Sequence, residues 1–184
     1  QGASGTMAAD VEGQASIQMT GGTVHGVIGG GLSYAYDTTG KFVSTSAVGS
    51  SAVSISGDST VEAITYLAAG DEVNISAAVV GGGVSWNKKN SETTTLTSTS
   101  DASSVVIDGA TINDNVVGGG YAYGSGSETA VKSASLTISN AELGSSGKEV
   151  NVYAGGVASA NAKSSSVESA LLQITATKVS GSCL

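Results

Sequence analysis

Apolar residues alternate with small polar ones in short runs along this chain, and the runs recur. The first is Ala15-Ser16-Ile17-Gln18-Met19-Thr20-Gly21-Gly22-Thr23-Val24. It returns as Ala52-Val53-Ser54-Ile55-Ser56-Gly57-Asp58-Ser59-Thr60-Val61, with one residue added in the turn, and again as Ser104-Val105-Val106-Ile107-Asp108-Gly109-Ala110-Thr111-Ile112. Two further copies begin at Ala134 and Ala170. Their anchors Met19, Ile55, Ile107, Ile138 and Ile174 are spaced 36, 52, 31 and 36 residues apart. The alternation has period two, as in Ser135-Leu136-Thr137-Ile138-Ser139, which is strand behaviour. No stretch of ten residues keeps a helical period.

A second motif follows inside each of the first four copies. It reads Val27-Ile28-Gly29-Gly30-Gly31, Val79-Val80-Gly81-Gly82-Gly83, Val116-Val117-Gly118-Gly119-Gly120 and Val152-Tyr153-Ala154-Gly155-Gly156. The 52-residue interval carries an insertion, roughly 62–77, in which Glu62-Ala63-Ile64-Thr65-Tyr66-Leu67 is apolar enough for an extra strand. Ser, Thr, Val and Ile favour extended backbone and glycine breaks helices, so the expectation is an all-β chain of about five similar units.

A unit of this size cannot bury an apolar face alone, but stacked copies can, each strand pairing with its counterpart in the next unit. The expected architecture is therefore a single-stranded solenoid. Met19, Ile55, Ile107, Ile138 and Ile174 form one inward column; Val24, Val61, Ile112, Leu143 and Val179 form another. The triple glycines are expected at corners, supplying positive φ and close backbone approach. Four polar stretches (34–50, 85–103, 121–133 and 158–169) are expected as loops on one side. The chain has no proline, which fits strands that all need their N–H for a ladder. No end cap is legible, which points to a piece of a longer protein. A β-sandwich is the alternative, but it requires hairpin turns every 8–12 residues, and only Gly57-Asp58 and Asp108-Gly109 come near that.

Composition narrows the function. The 184 residues carry seven Lys, no Arg and a net charge of −8, so a row of phosphates cannot be neutralised and nucleic acid is excluded as a partner. One Cys and one His form neither a disulfide framework nor a structural zinc site. No apolar run is long enough to span a membrane as a helix. Ser and Thr together make 49 of the 184 residues, but the 40% of hydrophobic residues fall into ordered runs that a disordered linker lacks. Residues Gln1 to Met7 read as a cloning-vector remnant, leaving 8–184 as one repeat domain. Cys183, second from the end, is read as an incidental thiol.

These repeats resemble those of bacterial autotransporter passengers of the AIDA-type adhesin class. The resemblance rests on Ala134-Ser135-Leu136-Thr137-Ile138-Ser139, a short link, then the Val-x-Gly-Gly-Gly motif and a Ser/Gly/Ala-rich stretch, and it covers about 13–180. It implies a right-handed parallel β-helix, exported across the outer membrane and displayed extracellularly on the bacterial surface. It also implies a non-catalytic adhesin or stalk, whose partner is a host-cell or bacterial surface protein or glycan, with self-association as a further mode. No cofactor is expected, and no metal either, because the triple glycines are followed by Leu32, Val84 or Tyr121 rather than by the Asp of calcium-binding Gly-Gly-x-Gly-x-Asp repeats.

Candidate chemistry is sparse. Tyr34, Tyr36, Trp86, Tyr121 and Tyr123 each follow a triple glycine by a few residues, so stacked copies place them in one column. If exposed, such rings stack on sugars or anchor a protein partner; the plainer reading is edge packing. Glycan-active enzymes occur on this fold and form the second reading, but hydrolases need paired carboxylates. Asp58 and Asp108 fall near the same turn of successive copies, where Asp more usually caps its own backbone. His25 has no nucleophile or ligand partner nearby in sequence. The run 93–100 suggests an ice-binding Thr ladder, which the equivalent stretches do not continue. A purely structural fibre module is the third reading.

Overall fold

The computed structural model describes residues 5–35, 42–68, 71–88 and 94–184. Twenty strands repeat in one order. The first unit holds β1 (Gly5–Met19), β2 (Gly22–His25), β3 (Val27–Ile28) and β4 (Leu32–Ala35). The second holds β5 (Phe42–Ser56), β6 (Ser59–Glu62), the inserted pair β7 (Ile64–Ala68) and β8 (Asp71–Ile75), then β9 (Val79–Val80) and β10 (Val84–Asn87). The third holds β11 (Thr94–Asp108), β12 (Thr111–Ile112), β13 (Val116–Val117) and β14 (Tyr121–Tyr123). The fourth holds β15 (Ser127–Ser139), β16 (Glu142–Leu143), a single 3-10 turn at Ser145–Gly147, β17 (Val152–Tyr153) and β18 (Val157–Ser159). The fifth holds β19 (Ser164–Thr175) and β20 (Lys178–Val179).

Each strand pairs in parallel with its counterpart in the neighbouring unit. The long strands form one sheet in the order β1-β5-β11-β15-β19, and the three shorter sets form three more sheets. Among the described residues, β7 and β8 make the one antiparallel pair. A β-sandwich built from successive hairpins is not what these pairings describe. The insertion contains two strands where the sequence pattern suggested one.

The registers reproduce the predicted columns. Met19 pairs with Ile55, Ile55 with Ile107, Ile107 with Ile138 and Ile138 with Ile174. Val24, Val61, Ile112, Leu143 and Val179 align likewise. Their middle members Ile55, Val61, Ile107, Ile112 and Ile138 are fully buried, whereas Met19, Ile174 and Val179, in the end units, are only partly covered.

Two expectations need correction. First, the four supposed loops contain strands: β4, β10, β14 and β18, then the first halves of β5, β11, β15 and β19. Their inner positions carry small polar residues, such as Ser44 and Ser46 in β5 and Thr94, Ser98 and Ser100 in β11, all buried. A one-residue slip in the middle of each long strand hides the alternation. Inward positions run Phe42, Ser44, Ser46, Val48 and then Ser51, Val53, Ile55. Gly49, Asp101, Lys132 and Glu168 sit at the slip in successive strands and have no pairing partner in the ladder.

Second, the triple glycines are not in the left-handed region; among the glycines with positive φ, Gly57 (64°) and Gly109 (76°) lie between a long strand and the next sheet. Close approach is what the triplets need. A Cβ on Gly119 would lie 2.6 Å from Val167 Cγ2 and 2.9 Å from the Gly155 carbonyl carbon. The triplets bond along the stack, Gly30 N to Gly82 O at 2.9 Å and Gly82 N to Gly119 O at 2.8 Å. Inner hydroxyls satisfy further carbonyls there, Ser51 donating to Gly81 O at 2.6 Å and Ser103 to Gly118 O at 2.7 Å. Unbonded, these buried groups would each cost about 1–3 kcal/mol.

The long-strand sheet begins at Gly5, with Gly5–Met7 of β1 paired with Phe42–Ser44.

Candidate binding surfaces

Strand alternation positions the aromatic column. On β10, Ser85 points toward the long-strand sheet and donates to Glu128 O at 2.7 Å. Its neighbours Val84 and Trp86 therefore face the other way. There they join a second apolar cluster with Ile64 and Ile75 of the inserted pair, Val80, Val117 and Tyr121. The register sets Tyr34 beside Trp86 and Trp86 beside Tyr123. The rings stack at 5.6 Å and 13° for Tyr34–Trp86, and at 5.5 Å and 16° for Trp86–Tyr123. Each such pair contributes about 0.5–1.5 kcal/mol beyond its buried area.

The column is thus real, but its exposure is not as expected. Trp86 and Tyr121 are each only 5% exposed, and Tyr34 and Tyr123 are half-buried. Tyr121 belongs to the adjacent column, beside Val84 and Val157. Tyr36 lies outside the described residues. The fourth unit presents Ser159 opposite Tyr123, so the ring stack ends there. Burial pushes the Tyr121 phenol above its ordinary pKa, an effect partly offset by hydrogen bonding with Ser159 and the Ser76 backbone. The indole nitrogen of Trp86 is buried with no hydrogen-bond partner among the described residues.

The carboxylates are mostly engaged. The Asp108 carboxylate accepts from Ser139 Oγ at 2.7 Å and Asn140 Nδ2 at 2.9 Å. Those bonds, Ser139 first, hold its carboxyl below the ordinary value. Lys163 bridges to Glu128 at 2.5 Å and Lys178 to Glu142 at 3.4 Å, each between neighbouring units and at the surface. His25 is exposed on β2, and Cys183 is an exposed free thiol. Asn115 and Asn151, which the sequence pattern did not single out, cap the backbone between units. Asn115 Oδ1 accepts from Asn151 N at 2.8 Å, and Asn151 Oδ1 from Ser182 N at 2.9 Å.

One open trough crosses the long-strand sheet along the line of slipped residues. It has a volume of about 550 Å³ and is lined by Asp10, Glu12, Asp101, Lys132 and Glu168 with intervening small residues. Asp101 is bound by Lys132 at 2.6 Å, which raises the Lys132 pKa. Among the described residues, no three His, Cys, Asp or Glu side chains are grouped to hold a metal ion. Among the described residues, no helix is long and apolar enough to cross a membrane.

Comparison with protein-family models, with curated proteins and with solved structures returns no match.

Proposed function

We propose that this chain is a right-handed parallel β-helix. In this reading it serves as a non-catalytic passenger segment of a bacterial surface adhesin, displayed outside the outer membrane as a stalk or binding surface. The observation that carries the reading is the parallel pairing of five units in one order through the long-strand sheet from β1 to β19, with a single bulge in β1 opposite Gly49. A structure that grows by adding identical rungs suits reach rather than catalysis. The aromatic column supports the stalk role more than the adhesive one, because Trp86 and Tyr121 are used in packing. The half-buried rings of Tyr34 and Tyr123 are the surface left for a sugar or protein partner.

Two measurements test this. Reading the genomic frame around the coding sequence should find an export signal before it and an outer-membrane β-barrel after it; a frame with neither overturns surface display. In an adhesion assay with the purified chain on host and bacterial cells, Tyr34→Ala and Tyr123→Ala should reduce retention. Retention that neither change affects would remove the rings from the binding role.

A glycan-active enzyme is the second reading, and the carboxylate-lined trough favours it. Its test is release of reducing ends from polysaccharides, abolished by Glu168→Gln. Chains left uncut by the unmodified protein exclude it.

A further inference from the structure

We infer that the two ends of the stack are complementary, so that a second copy of this chain docks head to tail and continues in parallel the long-strand sheet, the sheet from β2 to β20 and the sheet that begins with β3. Each end strand of the long sheet, β1 and β19, has a neighbour on one side only. At the first end, Ile17, Met19, Val24, Val27 and Ile28 line an apolar hollow of about 330 Å³. At the other end, Leu172, Ile174 and Val179 pack on the core from one side and are only partly covered. Leu184 is 68% exposed and hydrogen-bonds to the Val152 and Ala154 backbone, extending the sheet that begins with β3.

The registers decide what would meet what. Following each column through the units sets Leu172 against Ile17, Ile174 against Met19 and Val179 against Val24. In the second half-strands the inner positions are apolar on both sides, and the outward Gln173 meets the outward Gln18. The mid-strand slip fixes the alignment, because Glu168 falls in the column of Glu12 and Gly13. A one-residue error would turn the half-strands to the wrong face. A two-fold dimer would run the strands antiparallel and lose these matches, so the contact is heterologous and open-ended. Glu12 against Glu168 is the one like-charge opposition in this junction, and each copy carries a charge of −8, so salt strengthens the association. None of this depends on surface display; either conclusion stands if the other fails.

Sedimentation of the purified chain over a concentration series, at low and high salt, is the test. Size should grow with concentration without a fixed endpoint, and more strongly at high salt. Val24→Asp blocks one end and Leu172→Lys the other. Each variant alone should be monomeric, and their mixture should stop at a dimer. Circular dichroism checks that both remain folded. The exposed pair Gln18→Lys with Gln173→Lys keeps the test independent of core damage. It should weaken association about fivefold, the effect of like charges set directly opposite, and Gln18→Glu with Gln173→Lys should restore it. A wild-type monomer at every concentration overturns the inference. So does a closed dimer, or a mixture of blocked variants that stays monomeric.

Discussion

The residue that follows each of the last four long strands turns the chain through the left-handed region. Gly57 and Gly109 do so at φ 64° and 76°, but the same corner is filled by Asn140 at 52° and Ala176 at 48°. Alanine there costs about 1–2 kcal/mol of backbone strain, against a smaller entropic penalty for glycine. Ala176→Gly should therefore stabilise the protein by about 0.5–1 kcal/mol in denaturant melts, and Gly109→Ala should destabilise it. Asp108 contributes at the same corner through its charge. Its carboxyl pKa is lowered in the folded state, so its contribution is present above the ordinary carboxylate range and is lost as pH falls through the folded value. Melting curves of wild type and Asp108→Ala should differ at pH 7 and converge in acid. A gap that persists unchanged in acid would mean that the charge is not its source.

At the scale of the element, the triple glycine is a spacing device. Its backbone lies so close to the long-strand sheet and to the next glycine triplet that no side chain fits. Gly119→Val should cost about 3 kcal/mol or more, beyond the usual range for overpacking, because the obstruction at Gly155 is backbone and cannot move aside. A loss below about 1 kcal/mol in the same melts would show that the corner opens easily. The inserted pair β7–β8 is an element of another kind. It adds no strand to the parallel sheets; it brings Ile64 and Ile75 into the apolar cluster that holds Trp86 and Tyr121. Its apolar content was legible in the sequence, but its destination was not, since nothing local distinguishes an extra rung from a cover.

For the whole molecule, burial is graded along the stack. Ile55, Ile107 and Ile138 are fully buried, while Met19 and Ile174 in the same column are half-covered. Hydrogen exchange should follow this gradient: slowest in β11, with a neighbour on each side, and fastest in β1 and β19. Uniform protection from end to end would contradict nearest-neighbour stabilisation. Salt that slows exchange selectively in the two end strands would accompany head-to-tail docking.

What the sequence determined by itself is the repeat and its partners. A period-two pattern anchored on Met19, Ile55, Ile107, Ile138 and Ile174 names the inner column, because apolar residues at matched places in successive copies have one another as the nearest surface to bury against. The positions of the triplets and the alignment of Tyr34, Trp86 and Tyr123 were equally legible. Tertiary structure decided the rest. It turned the Ser- and Thr-rich stretches into strands, because an opposing sheet close enough to exclude side chains supplies carbonyls for buried hydroxyls, and no local pattern reports that distance. It also placed the slipped residues Gly49, Asp101, Lys132 and Glu168 in one line, and covered Trp86 and Tyr121. Exposure depends on what packs beside a residue, and here the cluster that buries both includes Ile64 and Ile75 of a hairpin inserted between two motifs of the same copy.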